Sequence, residues 1–135
     1  ADVSQEVSLA ALIGAFYKTP LFRLERMVLS LMPNGRIRDA DVDALAAGQA
    51  ARMGMWQLET RRADEVLLAA SGTKSWLMVM PVSGGTRLYF GSVLVPPAPK
   101  SDGTVPSFGV VINSLMGAHR FYSRQLLGAA VRGLS

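Results

Sequence analysis

His119 is the single histidine of the chain and the one side chain whose ordinary pKa lies near neutrality, so general acid or base chemistry at physiological pH starts there. On a helix its neighbours would be Leu115 and Tyr122, and neither supplies the orienting carboxylate that a catalytic imidazole uses. Tyr89 and Arg87 are the other candidate catalytic groups. They stand two positions apart on a predicted strand, where a phenol can donate a hydrogen bond and a guanidinium can meet a carboxylate. Cyclisation, isomerisation or dehydration in an apolar pocket needs only one or two such groups and leaves no motif. Each residue also has a plain structural reading, as a satisfied histidine, a half-buried phenol or a solvated cation.

Composition removes much other chemistry. There are no cysteines, hence no disulfides, thiolate nucleophiles or Cys-based zinc sites. A lone histidine rules out multi-histidine metal sites. Asp39, Asp41 and Asp43 resemble a calcium loop only in spacing, because the glycine and late glutamate of such loops are missing. Their position suits the start of a helix instead. Arg23, Glu25 and Arg26 fall within one helical turn and read as a solvated face. No GxSxG, phosphate-binding loop, HExxH or dinucleotide fingerprint occurs, so no metal or cofactor is expected. The net charge of +4 and a pI near 10 raise the question of nucleic acid. The arginines, however, are scattered from Arg23 to Arg132 without a basic stripe or interleaved aromatics, and nucleic acid is not an expected partner.

The large apolar side chains offer a different role. Trp56, Trp76, Met78, Met80, Phe90 and Tyr122 are the expected ligand-binding residues, with Tyr89 beside them, for a small and mostly apolar molecule. Methionine suits such a pocket because it is unbranched and polarizable. The same alternation of large residues also fills ordinary cores.

These residues need elements to position them. Val3 and Val7 suggest a short first strand. Leu9, Leu12, Ile13 and Phe16 recur at helical spacing and give a helix ending at Tyr17–Lys18. Thr19–Pro20 opens a second helix, with Leu21, Leu24, Met27, Val28 and Leu31 as its expected buried stripe, and Pro33-Asn34-Gly35 ends it. A third helix starts at Asp39 or Asp41 and runs to about Gln49. From Met53 the period drops to two, which predicts strands around Trp56 to Glu59, Glu65 to Ala70, Lys74 to Val82 and Thr86 to Val95. Ser71-Gly72 and Ser83-Gly84-Gly85 make the tight turns. Pro96 to Pro106 reads as a loop, and a long amphipathic helix completes the chain from about Pro106 to Leu134. Its stripe is Val111, Leu115, Ala118, Tyr122, Leu126 and Ala129, with Arg120, Arg124 and Arg132 on another face.

Helices, a meander and a long final helix, with the texture TKSWLMVMPVSGGTRLYF followed by GAHRFYSRQLL, resemble the START-like, helix-grip superfamily of polyketide cyclases and lipid carriers. The resemblance rests on Trp76, the Gly84-Gly85-Thr86-Arg87-Leu88 hairpin and His119, and spans roughly the last 60 residues. It implies a curved antiparallel meander gripping a C-terminal helix around a ligand cavity. Three helices ahead of the sheet point instead towards the nuclear-transport-factor-2-like cone, which is the alternative.

The expectation is therefore one α+β domain over residues 1–135: a ligand-binding module, a cofactor-independent cyclase, isomerase or dehydratase, or a homo-oligomeric interaction domain such as a homodimer. No apolar run reaches the roughly 20 residues needed to cross a bilayer, so no integral membrane association is expected. The cytoplasm is the expected compartment, and a start at Ala1 keeps a processed periplasmic or secreted form open.

Overall fold

The computed structural model describes residues 1–31, 33–70, 72–95 and 110–134, with the main chain alone from 110 to 120. The order of elements is β1 (Asp2–Val3), α1 (Leu9–Tyr17), α2 (Pro20–Leu29), α3 (Asp39–Ala46), β2 (Arg52–Met53), β3 (Trp56–Arg61), β4 (Glu65–Ala70), β5 (Thr73–Val82), β6 (Gly85–Leu94) and α4 (Val110–Leu134).

Local chemistry sets the helix boundaries. The Ser8 hydroxyl accepts from Ala11 N at 3.1 Å and caps α1. Thr19 is buried between α1 and α2. Its hydroxyl donates to Phe16 O and accepts from Phe22 N, closing one helix and opening the next. Pro20 follows at the first helical position, where its missing N–H costs nothing. α3 stops at Ala46, short of the expected Gln49. There the Arg61 guanidinium donates to Leu45 O at 2.8 Å and Ala46 O at 2.6 Å, satisfying two terminal carbonyls.

The strands form one antiparallel sheet in the order β1-β6-β5-β4-β3-β2. β2 to β6 make a meander of five strands rather than the four expected, and β1 adds to the far edge by pairing with β6. The sheet has two unlike faces. Val66, Leu68, Leu77, Val79 and Leu88 are buried and pack with Leu12, Ile13 and Phe16 of α1. α4 docks on the same side through Leu126 and Ala130, both buried; each buried leucine is worth about 2 kcal/mol relative to exposure. The other face carries Leu67, Trp76, Met78, Met80 and Tyr89, all half-buried. Trp76 lies across its cross-strand partner Gly91, where a Cβ would stand 3.2 Å from the indole.

The second helix departs from expectation. Leu24, Met27, Val28 and Leu31 are exposed, whereas Phe22 is buried and Leu29 packs against the core. Apolar residues surround this helix, and two anchors choose its orientation: Phe22, which joins the aromatic core, and Arg26, whose guanidinium donates twice to Ile37 O. The Pro96–Pro106 loop, the start of the last helix before Val110, Ser71, and the side chains of Val111, Leu115, Ala118, His119 and Arg120 lie outside the described residues.

Candidate functional site

α1 ends in two aromatic residues, and the second carries the site. Tyr17 is only 1% exposed. Its ring packs edge-on against Phe22 at 4.8 Å and Phe16 at 5.1 Å, with Trp56 at 6.4 Å. The hydroxyl has no hydrogen-bond partner among the described residues. A buried polar atom left unpaired costs about 1–3 kcal/mol, so an orphan hydroxyl in an aromatic core calls for a reason. Burial pushes the Tyr17 pKa well above the ordinary tyrosine value; Ser75 of β5 partly offsets that rise, and the charge of Glu25 adds to it. Ser75 is near enough to influence the phenol but does not complete a hydrogen bond to it.

Glu25 of α2 is half-buried and accepts a hydrogen bond from the Tyr122 hydroxyl of α4. The Tyr122 pKa is also raised, first by burial and then by its bond to this carboxylate. Both phenols therefore stay protonated at physiological pH. They can donate hydrogen bonds, and neither can act as a phenolate nucleophile there. A depression of about 410 Å³ opens between Pro20 and Leu21 of α2 and Gln125, Ala129 and Arg132 of α4.

The expected site residues divide between the two faces of the sheet. Trp56, Phe90 and Tyr122 lie on the helical side, where Phe90 meets Phe16 at a ring distance of 4.5 Å. Trp76, Met78, Met80 and Tyr89 lie on the opposite face. There Trp76 donates to Glu65 at 2.9 Å and its ring lies 6.0 Å from Tyr89. A sheet is one chain thick, so these two groups cannot line a common cavity between sheet and helices. Arg87 is exposed on that second face and donates to both carboxylate oxygens of Asp2, at 2.7 and 2.8 Å. The pair holds the Asp2 carboxyl below its usual range. The His119 side chain lies outside the described residues.

The aspartates have structural partners. Asp39 pairs with Arg23 and Arg26, Asp41 with Arg38, and Asp43 with Lys18. Among the described residues no three acidic or histidine side chains are grouped to hold a metal ion, and no helix is long and apolar enough to cross a membrane.

Tyr17 and Ser75 were not expected as site residues, and Glu25 was expected to be solvated. A tyrosine at the end of an apolar helical stripe reads as core, and only the missing partner for its hydroxyl distinguishes it. Comparison with protein-family models, with curated proteins and with solved structures finds no match for this chain.

Proposed function

We propose that this chain is a small-ligand-binding module of helix-grip type, holding a mostly apolar molecule between sheet and helices with one polar end at Tyr17. The observation that carries the reading is the orphan Tyr17 hydroxyl within an aromatic shell. Pockets of this kind are mainly apolar, with a few polar groups that fix orientation. The long helix α4, packed beside α1 over one face of the sheet, supports the helix-grip arrangement.

Charge narrows the ligand. Glu25 is close enough to raise the Tyr17 pKa, and it forms no ion pair among the described residues. A carboxylate or phosphate placed at Tyr17 would meet that negative charge without compensation. The polar end is therefore a neutral group such as a ketone, alcohol or amide.

Native mass spectrometry of protein taken from cell extract tests the reading. A co-purifying neutral molecule is expected, and Tyr17→Phe should fold and lose it. A clean apo mass with no thermal shift across a panel of sterols, polyketides and lipids overturns the proposal, as does undiminished retention by Tyr17→Phe. The cyclase, isomerase or dehydratase alternative places Glu25 as the base in the same position. Its signature is turnover lost in Glu25→Gln while binding persists.

A second reading, self-association, is favoured by the opposite sheet face, where Val93 is 62% exposed beside the Trp76–Met78–Met80 row. Light scattering of wild type and Met78→Asp decides it: a dimer lost in the variant supports it, and a monomer at every concentration rejects it.

A further inference from the structure

The exposed side of α2 is the most apolar ridge on the described surface. Leu24, Met27, Val28 and Leu31 are 57%, 64%, 59% and 87% exposed. Their spacing of three, one and three places them in a single stripe that continues into the turn after the helix. Isolated exposed apolar residues need no explanation, but a contiguous row of four does.

The surroundings of the ridge are cationic. Met27 shares a depression of about 320 Å³ with Arg23, Arg26 and Arg36. Arg36 also belongs to an adjoining depression of about 470 Å³, together with Arg38, Arg52, Asp41 and Gly54. Three guanidiniums thus border the ridge at Met27, and through Arg36 the cationic surface continues to Arg38 and Arg52. Asp39 and Asp41 pair with Arg23, Arg26 and Arg38, so the one carboxylate in the second depression is already engaged by Arg38, and Arg36 and Arg52 form no ion pair among the described residues.

We propose that this face docks on an anionic phospholipid surface, with Leu24, Met27, Val28 and Leu31 entering the headgroup–acyl boundary and Arg36 and Arg52 meeting the phosphates. An apolar helical stripe edged with arginine is the arrangement that lies in a membrane interface, gaining from apolar burial and from attraction to anionic lipid together. An acidic protein would match the arginines, but it leaves the 87% exposure of Leu31 unexplained unless it also brings a groove. A membrane needs no groove. The inference does not rest on the ligand-binding reading.

The test combines vesicle co-sedimentation with oxidation of methionine, using vesicles of neutral phosphatidylcholine and of phosphatidylcholine mixed with phosphatidylglycerol. Wild type should sediment with the mixed vesicles and not with the neutral ones. Arg36→Glu should weaken binding about fivefold or more, and Leu31→Asp at least about tenfold. Both sites are exposed, and circular dichroism checks that the variants fold. A second readout needs no variant: peroxide should oxidise Met27 readily in the free protein, with buried Met53 as the internal control. Mixed vesicles should then protect Met27. The proposal is overturned if Met27 oxidises equally with and without mixed vesicles, if polyglutamate protects it as well as lipid does, or if Met27 resists oxidation in the free protein.

Discussion

The Tyr122 hydroxyl of α4 donates to the Glu25 carboxylate of α2, joining residues 97 positions apart at the edge of the proposed pocket. This hydrogen bond ties the last helix to the second, against which it also packs. Tyr122→Phe removes the donor and leaves a half-buried carboxylate short of a partner. The expected cost is about 1 kcal/mol, at the low end for a charged acceptor because the pair is partly solvated. Urea denaturation followed by fluorescence measures it. An unchanged midpoint would show that the bond contributes nothing to docking α4.

Alkaline pH should weaken the fold through the two phenols. Tyr17 and Tyr122 both have folded-state pKa values raised above the ordinary 10.0. The unfolded chain therefore releases these protons first. Their contribution is fully present below about pH 10 and falls as pH rises from there, by up to about 1.4 kcal/mol per pH unit for buried Tyr17 and by less for the partly solvated Tyr122. Melting temperature measured from pH 8 to 12 should show this decline. Tyr17→Phe should flatten it, because a buried phenylalanine has no proton to lose. An equal alkaline decline in wild type and Tyr17→Phe would mean that the buried phenol is not its source.

Thr86 is a buried polar joint. Its hydroxyl accepts from Val7 N at 3.0 Å and donates to Gln5 O at 2.9 Å, tying the segment before α1 to β6. Thr86→Val keeps the shape and strands both backbone groups, so a loss of about 2–3 kcal/mol is expected. Thr86→Ser should restore most of it, because the hydroxyl returns. Amide exchange at Val7 reports the joint directly, and faster exchange is expected in the valine variant alone.

How much of this was legible varies by element, for physical reasons. The meander showed itself in the sequence because a period of two is visible where Trp56 and Leu58 alternate with Gln57 and Glu59, and because glycine turns separate the runs that follow. The same alternation could not say which row faces the helices. Trp76, Met78 and Met80 are as apolar as Leu77, Val79 and Leu88, and only the position of α1 distinguishes them. The orientation of α2 was hidden in the same way, since Leu21, Phe22, Leu24, Met27, Val28 and Leu29 surround the helix. Thr19–Pro20 as a helix start was readable because capping is local chemistry. Tyr17 and Glu25 were not readable as a site, because their significance depends on Ser75 and Tyr122, far away in sequence. β1 has two residues and too little pattern to reveal its pairing with β6.

That pairing makes the last prediction. At Gly85 a Cβ would stand 1.9 Å from Val3 O and 2.9 Å from Val3 C, closer than backbone atoms allow. Gly85→Ala must therefore displace β1, breaking the register of Asp2 with Arg87 and Val3 with Thr86. The Leu88 amide, which donates to Ala1 O at 2.7 Å, should then exchange faster. Gly84→Ala is the control. Gly84 has φ +83° and open space around its Cβ position, so alanine there strains the turn by about 1 kcal/mol without touching β1. Both variants lose stability, but only Gly85→Ala should expose Leu88. Equal exchange at Leu88 in the two variants would show that turn strain, rather than the missing room beneath Val3, controls the edge strand.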